Sequence, residues 1–244
     1  MKRKKLPTRR RRALRRIVWA MLALLVVNHL FGVGYLLPGQ AIRDEEEREG
    51  TGRTWTVESR WVPVLYRTHR FYLRENENAV LLGNTYFSPF GWQTTTGCAL
   101  DCSEAAAVHA AKQQISRDGK GTVDCYFGRI DDPAIETVAV SVQEVTYDQG
   151  QETRRELRRL TAERSEFLTR DGRTFFWLME VQDGQIDPEQ IIQSVLIAWG
   201  EDGTVVTEFT IRQESFASYG CSPFVWFRPV CTVYRLRVSV IKIF

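Results

Sequence analysis

Histidine is scarce: the 244 residues hold three, and one of them, His29, falls inside a long apolar run. Only His69 and His109 are left to serve a serine or cysteine triad. No phosphate loop, dinucleotide fingerprint, nucleophile elbow or zinc-protease helix occurs. C-x-x-C is missing as well, which argues against a thioredoxin-type redox centre. No internal repeat is found, so solenoid and propeller architectures are excluded. The first sixteen positions hold no acidic residue and ten Lys or Arg, namely Lys2, Arg3, Lys4, Lys5, Arg9, Arg10, Arg11, Arg12, Arg15 and Arg16. Residues 17–244 then carry 23 basic against 30 acidic residues, a net charge of −7 beneath the overall +3. A nucleic-acid partner is not expected, because the basic character is confined to the tail.

What the chain does have is 43% hydrophobic and 26% charged residues, the balance of a folded globular protein. Ile17–Leu37 (IVWAMLALLVVNHLFGVGYLL) contains 21 residues without a formal charge. As one helix it would be about 31 Å long, which predicts a transmembrane helix over 17–37. The basic residues on its N-terminal side place residues 1–16 in the cytoplasm as a tail and everything beyond the span outside, as a single-pass protein of the cell membrane. Lipid bilayer, with anionic headgroups around the tail, is the expected partner there. Gly39-Gln40-Ala41 also fits a signal-peptidase site, but the apolar run exceeds the roughly 7–15 residues of a signal peptide, which favours a retained anchor.

Residues 38–53 are polar and acidic and read as a linker to an outer domain over 54–244. That domain is expected to be α+β, mainly β, and sandwich-like. Thr54–Tyr66, Ala79–Leu82, Thr122–Phe127, Ile135–Val145, Thr174–Val181, Val195–Trp199, Thr204–Ile211 and Val225–Phe244 read as strands. Val138, Val140 and Val142 show the clearest alternation, Asp131-Asp132-Pro133 marks a turn, and Gly200-Glu201-Asp202-Gly203 a hairpin bend. One or two helices are expected in addition: Ser103–Ser116, rich in alanine and opened by Asp101-x-x-Glu104, and the highly charged Gln151–Arg164.

All five cysteines lie beyond the apolar run. In an oxidising compartment their clustering suggests the pairs Cys98–Cys102 or Cys221–Cys231, with Cys125 left over. Cys98, Cys102, His109 and Cys125 have the donor types of a zinc site, but their spacing fits no known finger, and the proposed helix puts His109 on a polar face beside Ala105, Lys112 and Gln113. No metal and no cofactor is therefore expected. His69 lies in Arg67-Thr68-His69-Arg70, whose charges disfavour its imidazolium. Asp131, Asp132, Glu136, Glu180 and Asp183 read as solubilising carboxylates. Tyr86-Phe87-Ser88-Pro89-Phe90-Gly91-Trp92 forms an aromatic, Pro- and Gly-containing segment. Its Tyr86, Phe87, Phe90 and Trp92 are candidates for a recognition loop, or for a loop packed on the core.

Tyr126–Val138, with Gly128-Arg129-Ile130-Asp131-Asp132-Pro133-Ala134-Ile135 at its centre, and the later Ala198–Val206 (AWGEDGTVV) resemble uncharacterised membrane-anchored outer domains of Gram-positive bacteria. In those, a G-x-[IV]-x-[DN]-P-x-[IV] element precedes an A-x-x-x-D-G-x-V-V hairpin. The resemblance implies a β-sandwich-like outer domain and carries over no catalytic residue. The function expected is a non-enzymatic binding domain tethered to the membrane and facing another protein at the cell surface. A sensory domain coupled to a membrane partner and an extracytoplasmic hydrolase are the alternatives.

Overall fold

A computed structural model describes residues 8–31, 34–64, 67–88, 91–95, 97–117, 121–148, 151–183, 191–211 and 213–219. Two helices come first, α1 (Thr8–Phe31) and α2 (Pro38–Glu49). The strands follow as β1 (Trp55–Val64), β2 (Arg67–Glu75), β3 (Ala79–Ser88), β4 (Gly91–Thr94) and β5 (Cys98–Asp101). After these come β6 (Val108–Arg117), β7 (Gly121–Ile130), β8 (Ile135–Asp148), β9 (Gln151–Glu163), β10 (Leu168–Arg170) and β11 (Arg173–Asp183). The last three are β12 (Ile191–Gly200), β13 (Val205–Ile211) and β14 (Gln213–Tyr219).

The strands build three sheets. The first has the order β1-β2-β3-β4, with β5 also paired to β3; the second runs β10-β11-β7-β6-β14; the third runs β13-β12-β8-β9. All pairings are antiparallel except that of β14 with β6. The second sheet lies between the other two and is buried on both faces. Ala111, Ile115, Val123, Cys125, Phe127, Phe175 and Trp177 meet Phe71, Leu73, Val80, Leu82 and Cys98 of the first sheet. The alternate residues Val108, Tyr126, Ile130 and Phe176 meet Val138, Val140, Val142, Leu196 and Ala198 of the third. The mainly-β expectation holds, and the sandwich has three layers.

The transmembrane helix over 17–37 does not form. α1 starts at Thr8 inside the basic run, takes in Arg9–Arg12, Arg15 and Arg16, and ends at Phe31. Its uncharged part, Ile17–Phe31, is about 22 Å long, whereas a crossing takes roughly 20 residues. Among the described residues no helix is long and apolar enough to cross a membrane. Tyr35, assigned to the span by hydropathy, instead bridges to Trp92 of β4.

The expected linker is mostly helix. Pro38 opens α2, the Gln40 side chain accepts the Leu37 N–H at 3.3 Å, and Asp44 pairs with Arg48 one turn on at 3.0 Å. Gly50 closes it at φ 68°, the left-handed conformation that glycine adopts without strain.

Both helices expected in the outer domain are strands. Most of Ser103–Ser116 belongs to β6, where alternate residues face two different cores. Burial on both sides overrides the helical propensity of its alanines. Gln151–Arg164 is β9, an edge strand whose many charges suit an unpaired rim, followed by a single 3₁₀ turn at Arg164–Glu166. Val225–Phe244 lies outside the described residues.

Candidate functional site

The first sheet turns Val62, Phe71, Leu73, Val80 and Leu82 inward, so strand alternation sends Trp61, Arg70, Tyr72, Gly83, Thr85, Phe87, Trp92 and Thr94 to its outer face. Cross-strand register lines them up. Trp61 is opposite Arg70, Arg70 opposite Thr85, and Thr85 opposite Thr94; Phe87 is opposite Trp92. Three large aromatic rings from β1, β3 and β4 therefore share one patch. The Trp61 and Trp92 rings are 6.4 Å apart and tilted, and Phe87 meets Trp92 edge-on at 5.6 Å. The Arg70 guanidinium lies over Trp61 at 5.8 Å and also donates to the Ser59 hydroxyl at 3.2 Å. Trp61 remains 57% exposed and Phe87 65% exposed. The cluster is held on paired strands and lies open to solvent.

The chain that follows α1 attaches to this patch. Tyr35 and Trp92 exchange both backbone hydrogen bonds at 2.7 Å, and Leu36 and Leu37 beside them are exposed. Burial, reinforced by a hydrogen bond to Asp44, pushes the Tyr35 phenol up to about 12.

Beside the aromatic patch, α2 covers the rest of the face. Ala41, Glu45 and Glu46 are its buried residues. Glu46 meets three donors, the Thr54 amide at 2.8 Å, the Thr54 hydroxyl at 2.5 Å and the Arg74 guanidinium at 3.0 Å. Glu45 has no accessible surface at all, and the Tyr72 hydroxyl approaches its Oε2 at 3.5 Å. Desolvation pushes its carboxyl up to about 8, against the opposing pull of Arg48 and of the Thr94 and Tyr72 hydroxyls. Two glycines make room for it. A Cβ at Gly83 would stand 2.8 Å from Glu45 Cδ, and one at Gly97 would stand 2.8 Å from Glu45 Cγ.

Of the expected recognition loop, the structure brings together Phe87 and Trp92 only. Tyr86 points to the inner face, its ring tilted against His69 at 5.0 Å and its hydroxyl on Gln93 Oε1 at 2.5 Å. Phe90 lies outside the described residues. Trp61, distant in sequence, was missed; its place in an aromatic strand opposite an arginine becomes meaningful only once the register is known.

Of the pairs suggested by spacing, Cys98–Cys102 is not formed. Cys98, Cys102 and Cys125 are buried, and Cys221 and Cys231 lie outside the described residues. Cys98 starts β5 and Cys102 follows its last residue, so the extended chain holds their Cα atoms about 13 Å apart, beyond the reach of a disulfide. Burial pushes the Cys102 thiol up to about 11 and raises that of Cys125 as well. His109 is directed at Asp131, at 3.3 Å, and Asp131 is held in turn by Arg129 through two bonds of 2.7 and 2.8 Å. Among the described residues no group of three His, Cys, Asp or Glu is placed to hold a metal ion. His69 is buried, with Nδ1 3.3 Å from Asn84 Oδ1. The chain matches no known family model, and comparison with characterised proteins finds none similar to it.

Proposed function

We propose that this protein is a non-enzymatic binding domain that docks on an anionic lipid surface. The exposed Trp61–Phe87–Trp92 patch carries this reading, because it adjoins the chain leaving α1. Tryptophan and other large aromatics favour the headgroup level of a bilayer, where an apolar ring meets a wet boundary. The patch continues into Leu36 and Leu37, while α1 exposes Ile17, Val18, Trp19, Met21, Leu22, Val26 and Val27. Arginines 9–12, 15 and 16 in the same helix supply charge complementary to anionic headgroups, about 1 kcal/mol for each residue near the surface. A non-enzymatic role is supported by the state of the reactive groups. The Cys102 and Cys125 thiols are buried with raised pKa values, the reverse of an activated nucleophile, and the buried His109 ring is turned to the Asp131 carboxylate.

Co-sedimentation of the full chain with vesicles tests this. Binding is expected to phosphatidylcholine vesicles containing phosphatidylglycerol, to weaken with salt, and to shift tryptophan emission to the blue. Replacing both Trp61 and Phe87 by alanine should abolish the blue shift and most of the binding. Equal binding to vesicles of phosphatidylcholine alone, or unchanged binding by the double variant, would overturn the proposal.

A further inference from the structure

We infer that α2 is a proton-dependent cover, seated on the first sheet while Glu45 carries its proton and lifted as that proton is lost, which uncovers Tyr72 beside the aromatic patch.

The geometry of two adjacent glutamates carries the inference. Glu46 reaches an amide, a hydroxyl and a guanidinium, a set of donors suited to a carboxylate. Glu45, one residue earlier, enters a slot between Gly83 and Gly97 that fits its side chain and no Cβ. There its Oε2 meets one phenolic hydroxyl at 3.5 Å, and its Oε1 is buried with no hydrogen-bond partner. A neutral carboxyl tolerates such a slot; a buried carboxylate without a cation does not.

The surrounding groups bear this out. On α2 itself, Arg48 is turned to Asp44, taking its carboxylate at 3.0 Å and its carbonyl at 3.3 Å, and Glu49 adds a like charge. From β2, Tyr72 is buried with its phenol raised, and Arg74 is engaged by Glu46 and Thr54. β3 and β4 present Gly83, Thr85 and Thr94, which do not titrate, and of these the Thr94 hydroxyl favours the carboxylate. Desolvation accordingly dominates, and the carboxyl moves from its ordinary 4.5 up to about 8.

The sign follows from linkage. The seated state holds the proton more tightly than the lifted one, so seating takes up one proton between those two values. Its stabilisation is complete below about pH 4.5 and falls as pH rises, levelling off above about pH 8.

Hydrogen exchange of residues 38–49 in the full chain, corrected for intrinsic rates, tests the inference. The opening constant of α2 should rise about tenfold for each pH unit between about 5 and 8. Glu45→Gln, neutral at every pH and of the same size, should stay closed with a flat profile. Gly83→Ala, which pushes the carboxyl out of its slot, should open α2 at all pH values and also lose the slope. A flat wild-type profile, or the wild-type slope surviving in either variant, would overturn the inference.

Discussion

Lys112 and Asp124 face each other at 3.3 Å on adjacent strands of the middle sheet, both almost wholly buried beneath the third sheet. Asp124 also accepts from Gln114 at 2.8 Å and from Arg158 of β9 at 3.1 Å, and Arg158 pairs with Glu180 at 2.5 Å. The charges thus compensate one another inside an otherwise apolar seam. Removing the carboxylate with Asp124→Ala leaves Lys112 buried without a counter-ion. The expected loss is about 3–5 kcal/mol in a urea titration, with Asp124→Asn costing less because it still accepts a hydrogen bond.

Gly128 lies in β7 between β6 and β11, at closest approach to its neighbours. A Cβ there would overlap the His109 carbonyl and stand 2.5 Å from Phe176 Cε1. Two paired strands and a core ring leave no room to yield, so Gly128→Ala should lower stability by about 3 kcal/mol, read from the denaturation midpoint.

Trp61→Ala and Phe87→Ala remove exposed rings rather than core. Each should shift unfolding by no more than about 0.5 kcal/mol. Loss of vesicle binding with unchanged denaturation curves separates a recognition surface from a packed loop.

Cys102 and Cys125 should resist alkylation in the native chain, since they are buried and burial disfavours their thiolates, and Cys98 should resist it because it is buried. Peptide mapping after iodoacetamide treatment should show the three unmodified under native conditions and all modified in denaturant. Rapid native labelling at Cys125 would mean that the first and second sheets part readily.

Much of the strand pattern was legible. Val138, Val140 and Val142 alternate because they enter the core from one face of β8, although Ala139 and Ser141 between them are buried too, and the Asp131–Pro133 turn and the Gly200–Gly203 bend stand where their residue types put them. β6 was misread because a strand buried on both faces loses its alternation and leaves only propensity, which favours helix for Ala105–Ala111. β9 was misread because an edge strand with long arginines resembles a solvated helix. The signals of α2, with Pro at its start, Gly beyond its end and an i,i+4 ion pair, are present in the sequence, but the polar, acidic composition of 38–53 masks them and suggests a linker. In the candidate site Phe87 and Trp92 were identified, whereas Trp61, Glu45 and the two glycines were not.

The class is written in local pattern: apolar and β-branched runs between turn residues, with the basic charge gathered in the first sixteen positions, specify a mainly-β protein with a basic N-terminal segment. How many layers those strands form, where the first helix stops, and which side chains meet on the outer face follow from packing between segments. Local preference depends on neighbours along the chain. Stacking three sheets, seating Glu45 between Gly83 and Gly97, and bringing Trp61 to Trp92 depend on contacts between segments far apart in sequence, which no local pattern encodes.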